Sequence, residues 1–303
     1  MLLVIAVAPL PVAAQAQRTD SAAASARQST DNAWWTGPML AASPNTLPRG
    51  HFLVEPYLYD VRTAHSNGFG SLTYINYGVA NNFTVGVIPT FGFNMMSEGT
   101  NSSGIGVGDI TLLTQYRLTQ FHVGSLVPTT AIVVQEGLPT GKYDRLGSRP
   151  SDGFGGGAYT TTVSIYSQTY FWMPNGRLLR TRLDVSQAFS NSVHVEDVSV
   201  YGTGEGFRGR ASPGKSLFVD AAAEYSLTQR WVLGADLFYR HSGSTHVAGA
   251  QPAAPGGPDG PTSIVFDTGA SDAFGVAPAL EYNWSPRFGV LFGTRIIFSG
   301  HNT

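Results

Sequence analysis

Apolar and polar residues alternate one by one through most of this chain, in runs of about a strand's length. In "RLLRTRLDVSQAF" (177–189), Leu179, Thr181, Leu183, Val185 and Phe189 share one parity, and Arg180, Arg182, Asp184 and Ser186 share the other. Successive strand side chains point to opposite faces, so this run makes a ribbon with one apolar and one charged face. The pattern recurs. About eleven such segments are expected, near 51–61, 70–78, 83–94, 108–118, 127–137, 158–169, 178–189, 216–227, 231–241, 273–284 and 288–298. In the third, Phe83, Val85, Val87, Phe91 and Phe93 oppose Thr84, Gly86, Thr90 and Gly92. Segments 70–78 and 127–137 do not declare their faces, because Ile132 and Val134 share a parity with Glu136 in the latter.

The connections alternate in length. "VANN", "TQFHVG", "MPNG", "TQR" and "SPR" are short, and Asn175-Gly176 is a hairpin signal. Between them come long stretches at about 62–69, 95–107, 138–157, 190–215 and 242–272. An up-and-down meander gathers the short turns at one end and the long loops at the other, as transmembrane barrels do, and each segment has the length of a tilted membrane strand. Aromatics on the apolar parity fall near segment ends. Phe83, Tyr116, Tyr225, Trp231, Tyr282, Trp284 and Phe288 lie toward the short turns, and Phe93, Phe189, Tyr239, Phe274 and Phe298 toward the long loops. Two such belts bracket a hydrocarbon band, which strand propensity alone does not explain.

Composition agrees with lipid as the outer solvent. Charged residues make up 13% of the chain, against about 25% in soluble domains. There is no cysteine, which removes disulfides, structural zinc and thiol chemistry, and a net charge of −2 gives no reason to expect nucleic acid. The opening run "MLLVIAVAPLPVAAQAQ" ends in Ala14-Gln15-Ala16, as a secretory signal does, although no basic residue precedes Arg18. The expected organisation is a signal-peptide-like segment at 1–16, a flexible leader at 17–48 rich in Ala, Ser, Thr, Asn and Pro, and an all-β, antiparallel up-and-down transmembrane barrel at 49–303. Barrels of this kind almost always have an even strand count, so eleven segments imply about twelve strands with the last one absent after "FSGHNT".

Four blocks, "TGPMLAASPNTLPRGHFLVEPYLYD", "GIGVGDITLLTQYRL", "EGLPTGKYDRLG" and "RIIFSGHNT", resemble the transporter family called MetA-pathway of phenol degradation. The resemblance spans most of the chain. It implies a barrel of the Gram-negative outer membrane linked to the catabolism of aromatic compounds, and in the family the Gly-His-Asn-Thr precedes one last strand. It assigns neither substrate nor catalytic residue.

The charges on the inward parity form the candidate site: Glu55, Asp109, Arg117, Arg180, Arg182, Asp184, Asp220, Glu224, Asp236, Arg240, Glu281 and Arg295. Every cation there is arginine, whose planar fork can bridge carboxylates across strands. One reading is a network that fills and stiffens the interior; the other is a polar constriction that selects solutes. Catalysis is not expected. His65 and Ser66, like His241 and Ser242, are adjacent and face opposite ways, while Ser244 and His246 lie in a loop, so no nucleophile and base share a strand face. "GIGVGD" leads into a strand rather than a helix, and "GLPTGKY" lacks phosphate-loop spacing. No residue cluster has metal-ligand spacing, and no cofactor is implied. The expected partners are membrane lipid and a small solute, in a porin-like passive channel; neither the solute nor the oligomeric state can be read. The alternatives are a filled barrel, structural or adhesive through 190–215 and 242–272, or a lipid-modifying barrel enzyme.

Overall fold

The computed structural model describes residues 2–7, 27–252 and 260–302. Residues 8–16 of the signal-like segment, 17–26 of the leader and 253–259 of the Pro/Gly-rich loop lie outside them. The strands are β1 (Leu2–Val7), β2 (Phe52–Arg62), β3 (Ser66–Ala80), β4 (Phe83–Ile88), β5 (Thr90–Met96), β6 (Gly106–Val107) and β7 (Ile110–Thr119). They continue as β8 (Thr129–Leu138), β9 (Thr160–Trp172), β10 (Leu178–Ser190), β11 (Val193–Glu196), β12 (Arg208–Ser212), β13 (Ser216–Ser226) and β14 (Trp231–Ser242). The last are β15 (His246–Gln251), β16 (Thr262–Asp267), β17 (Ser271–Ser285), β18 (Phe288–Gly293) and β19 (Ile296–His301).

All pairings are antiparallel, and hydrogen-bonded neighbours run in sequence from β2 round to β18. Pro89 has no N–H to give the ladder and divides one long strand into β4 and β5, both of which pair β3. The ring closes through β1, which lies antiparallel between β18 and β2, while β2 pairs β3. With β4 and β5, β6 and β7, and β18 and β19 each taken as one wall position, the described residues make a ring of twelve. Closure satisfies backbone groups that an open edge would leave unpaired in hydrocarbon. The position expected for a strand beyond Thr303 is taken here by residues of the apolar N-terminal run.

Every expected segment is a strand. Burial on β10 follows the parity, with Leu178, Arg180, Arg182 and Asp184 buried and Leu183, Val185 and Phe189 outward. The two undeclared segments resolve. On β8, Ala131 and Val133 face inward, Ile132 and Val134 outward, and Glu136 on the outward parity accepts a hydrogen bond from the Thr161 hydroxyl at 2.6 Å. On β3, Leu72, Tyr74 and Asn76 line the lumen, while Phe69, Ile75 and Val79 face out. Outer rings meet at the short-turn end, Trp231 tilted against Tyr282 with centroids 4.6 Å apart and Trp284 stacked on Phe288 at 4.9 Å, and at the other end Tyr239 meets Phe274 at 4.6 Å. No helix among the described residues is long and apolar enough to cross a membrane. Leu183 is 49% exposed on the outer face, so Leu183→Arg is expected to destabilise the folded barrel in bilayers by about 2–4 kcal/mol if it sits near the midplane. Urea titration in phosphatidylcholine vesicles measures this, and a change near zero would contradict a lipid-facing Leu183.

Four connections differ from expectation. Residues 62–69 are not a long loop, because β2 and β3 extend to a tight turn at 63–65. The connection begun by "TQFHVG" runs longer, over 120–128. The loops 190–215 and 242–272 are not irregular: they carry β11, β12, β15 and β16, paired in that order as a second sheet. This sheet continues the order of β10, β13, β14 and β17 beyond breaks in the ladder, and buries Val193, Val195, Phe207, Ala211 and Val247 against Ala158. Asp152 ties two other loops together, accepting from the Ser103 N–H at 2.7 Å and hydroxyl at 2.9 Å; that backbone hydrogen bond, first, holds its carboxyl below the usual aspartate range.

Candidate functional site: the lumen and its plug

Residues 27–48, expected to be a flexible leader, pass inside the barrel. The segment starts at the short-turn rim, where the Gln28 N–H donates to the Gly176 carbonyl at 2.9 Å and the Trp172 indole donates to the Gln28 carbonyl at 2.9 Å. Its backbone N–H groups then meet inward carboxylates one after another. Thr36 donates to Glu281 at 2.7 Å, and Gly37 to the same oxygen at 3.3 Å. Met39, Leu40 and Ala41 donate to Asp236 at 3.0, 3.2 and 3.0 Å, and Ala42 donates to Asp184 at 2.7 Å. The Gln115 amide donates to the Ser43 carbonyl at 3.0 Å and to the Asn45 carbonyl at 3.1 Å. The chain returns to the rim at Leu47, whose N–H donates to the Thr84 hydroxyl at 2.9 Å, and enters β2.

This path reflects local chemistry. A segment without regular structure cannot pair its own amides, and a buried unpaired N–H costs about 1–3 kcal/mol, so the lumen must supply acceptors. The carboxylates of β10, β14 and β17 do so. Gly37 turns the chain at φ 133°, a conformation that favours glycine. Gly78 leaves the space in which the Leu47 and Pro48 backbone passes against β3, where a Cβ would collide. The wall is small where Met39 packs, at Ala277 and Ala279.

The arginines brace the same assembly. Arg180 forks onto Glu224, with Nε donating to Oε2 at 2.6 Å and Nη2 to Oε1, and its guanidinium lies 4.5 Å from the Trp35 ring centroid. Arg182 donates to the Gln168 side-chain carbonyl at 2.9 Å and to the Ala41 carbonyl at 2.7 Å. Asp220 lies opposite Asp184 in the ladder, and both of its buried oxygens lack a hydrogen-bond partner.

Above the plug is a cavity of about 910 Å³, reaching the 63–65 turn and lined by Tyr57, Tyr59, Tyr74 and Tyr166 with Glu55, Arg182, Arg240 and Arg295. The twelve expected site residues therefore separate. Arg180, Arg182, Asp184, Asp220, Glu224, Asp236 and Glu281 are buried beside the plug, and Glu55, Arg240 and Arg295 border open volume, as does the Arg182 side chain. Two lie elsewhere. Asp109 accepts from the Gly141 N–H at 2.9 Å and the Gly156 N–H at 2.7 Å, fastening the loop between β8 and β9, and Arg117 donates to the Asn81 carbonyl at 3.0 Å at the short-turn rim.

The description "Putative MetA-pathway of phenol degradation" belongs to a family model that matches residues 37–303, starting within the plug and running through the barrel wall. The chain belongs to this family. Its fold is similar to the crystal structure of an outer membrane channel from Pseudomonas putida F1, with a TM-score of 0.50 and 13% identity over 98% of this chain and 94% of that one. No curated protein matches. The fold is that of a bacterial outer-membrane β-barrel. Family membership from Gly37 onward places the stretch that meets Glu281, Asp236 and Asp184 inside the shared pattern, as an integral part of the family's chain.

Proposed function

We propose that the chain is a passive channel of the bacterial outer membrane for small solutes, hydrophobic and aromatic ones included, with the N-terminal segment acting as the plug of its lumen. The observation that carries this is the cavity of about 910 Å³ within a closed wall, continuous from the loop end to the plug. A barrel with a purely structural interior has no need of this volume. Its tyrosine lining offers ring faces, and its arginines offer fixed charge, so the passage suits solutes with both an apolar body and a polar group. The alternative of an adhesive barrel draws support from the ordered outer sheet, but that sheet leaves the lumen volume unexplained.

Reconstitution tests the channel. Vesicles bearing lipopolysaccharide and the full chain are expected to admit the aromatic dye N-phenyl-1-naphthylamine faster than protein-free vesicles, and planar bilayers are expected to show discrete conductance steps. Permeability at the protein-free level in both assays, with the plug intact and with it released, would overturn the channel.

A further inference from the structure

Two of the lumen arginines are not used by the barrel. Among the described residues, neither the Arg240 nor the Arg295 side chain has a hydrogen-bond or ion-pair partner, whereas Arg180 and Arg182 are each hydrogen-bonded within the wall or to the plug. Arg240 and Arg295 border the same cavity and stand close enough for each to feel the other's charge. Arg295 is held in place by its stack on Phe238, 4.4 Å from the ring centroid, which leaves the edge of its guanidinium free. Asp220, whose charge acts on Arg295, is fully buried in the wall and makes no hydrogen bond to it. Two like charges left beside a cavity with open donor edges are an arrangement that an incoming anion relieves.

The rest of the cavity is aromatic. Tyr57 and Tyr74 meet edge to face with centroids 5.7 Å apart, and Tyr59 and Tyr166 line the same volume. Ring faces and edges set in this way accept a further flat ring by stacking. Two acids, Glu55 and Asp60, border the cavity too, Asp60 paired with Arg62 at 2.8 Å, so the lining does not favour a second negative charge on the solute.

We propose that Arg240 and Arg295 anchor the carboxylate of a single-ring aromatic acid whose ring lies among the lumen tyrosines. This deepens the channel reading and rests on the lumen being the solute path. The solute class is then an aromatic monoacid rather than a hydrocarbon or a sugar. The anchor lies above the plug, in the cavity that reaches the loop end.

Equilibrium dialysis of ring-labelled benzoate against the full chain in octyl glucoside, corrected with protein-free micelles, is the test. Benzoate is expected to bind saturably, and the double variant Arg240→Gln/Arg295→Gln to bind it at least about tenfold more weakly, since each charge-assisted hydrogen bond contributes more than a neutral one. Benzyl alcohol, the neutral near-isostere, is expected to bind more weakly than benzoate to the native chain and equally to the variant. Arg240→Lys/Arg295→Lys keeps the charge without the fork and is expected to fall between the two. Unchanged benzoate affinity in the Gln variant, an equal loss for benzyl alcohol, or no saturable benzoate binding to the native chain would overturn the anchor. Circular dichroism and heat-modified gel mobility identify a misfolded variant, for which either single Gln variant, each expected to lose part of the affinity, takes its place. A chain that binds benzoate as expected yet passes no solute in vesicles would keep the anchor and lose the channel, so the two failures are distinct.

Discussion

Asp236→Ala is expected to raise the time-averaged conductance of the reconstituted protein by about tenfold or more, without loss of the folded barrel. One carboxylate accepts three consecutive plug amides, from Met39, Leu40 and Ala41. Its removal leaves three buried donors unpaired, at about 1–3 kcal/mol each, and every 1.4 kcal/mol moves a two-state population about tenfold. Water supplies acceptors only if the segment leaves the lumen, so the cheapest relaxation is withdrawal of the plug. The wall does not depend on Asp236 in the same way. Its backbone is held by the ladders to β13 and β17, which the side-chain change leaves in place. Single-channel recording in planar bilayers, with deletion of residues 37–45 as the fully released reference, gives the measurement. Conductance equal to the native value in both variants would mean that the segment does not limit passage.

The wall was legible in the sequence because its determinant is local. Lipid on one side and a polar interior on the other force a period of two, and the strands β10, β13 and β14 carry it without interruption. The plug was not legible as a plug, since "WWTGPMLAASPNTLP" has no period. Its course is dictated by acceptors more than 140 residues away in Asp184, Asp236 and Glu281, a relation that no window of sequence contains. Its composition did hold a signal, because two adjacent tryptophans and Met39-Leu40 with no charge from Ala33 to Pro48 are unlike a water-exposed leader. The outer strands β11, β12, β15 and β16 were hidden for another reason. They are four to six residues long and interrupted by Gly209 and Gly249, so alternation never accumulates within them.

Parity assigns a face and not a role, and it does not separate the charges buried beside the plug from Asp109 and Arg117, which lie elsewhere. Depth along the strand and the presence of the plug decide which of them are buried, and those are tertiary facts. This matters for Arg180, which sequence parity alone makes a pore-lining selector. In the folded chain it is 6% exposed, forked onto Glu224 and covered by Trp35, so passing ions do not reach it. Burial and pairing point to a structural role, and the second large effect follows.

Arg180→Met is expected to destabilise the barrel by about 3 kcal/mol, with ion selectivity unchanged, because Glu224 is left buried without its main counter-charge. The value is set at the low end of the usual 3–5 kcal/mol for breaking a buried pair, since the Arg182 Nε lies 3.8 Å from a Glu224 oxygen and supplies part of the lost field. Removing both partners has the opposite logic. Arg180→Met/Glu224→Leu leaves no orphan charge and replaces the pair with apolar volume, so it is expected to recover most of the loss. Urea unfolding of the single and double variants in vesicles, read by tryptophan fluorescence, separates these outcomes, and reversal potentials under a salt gradient report selectivity. A selectivity change in Arg180→Met with little loss of stability would return this arginine to the pore lining. A double variant as unstable as the single one would instead place the stabilisation in the stack on Trp35, and so in the docking of the plug.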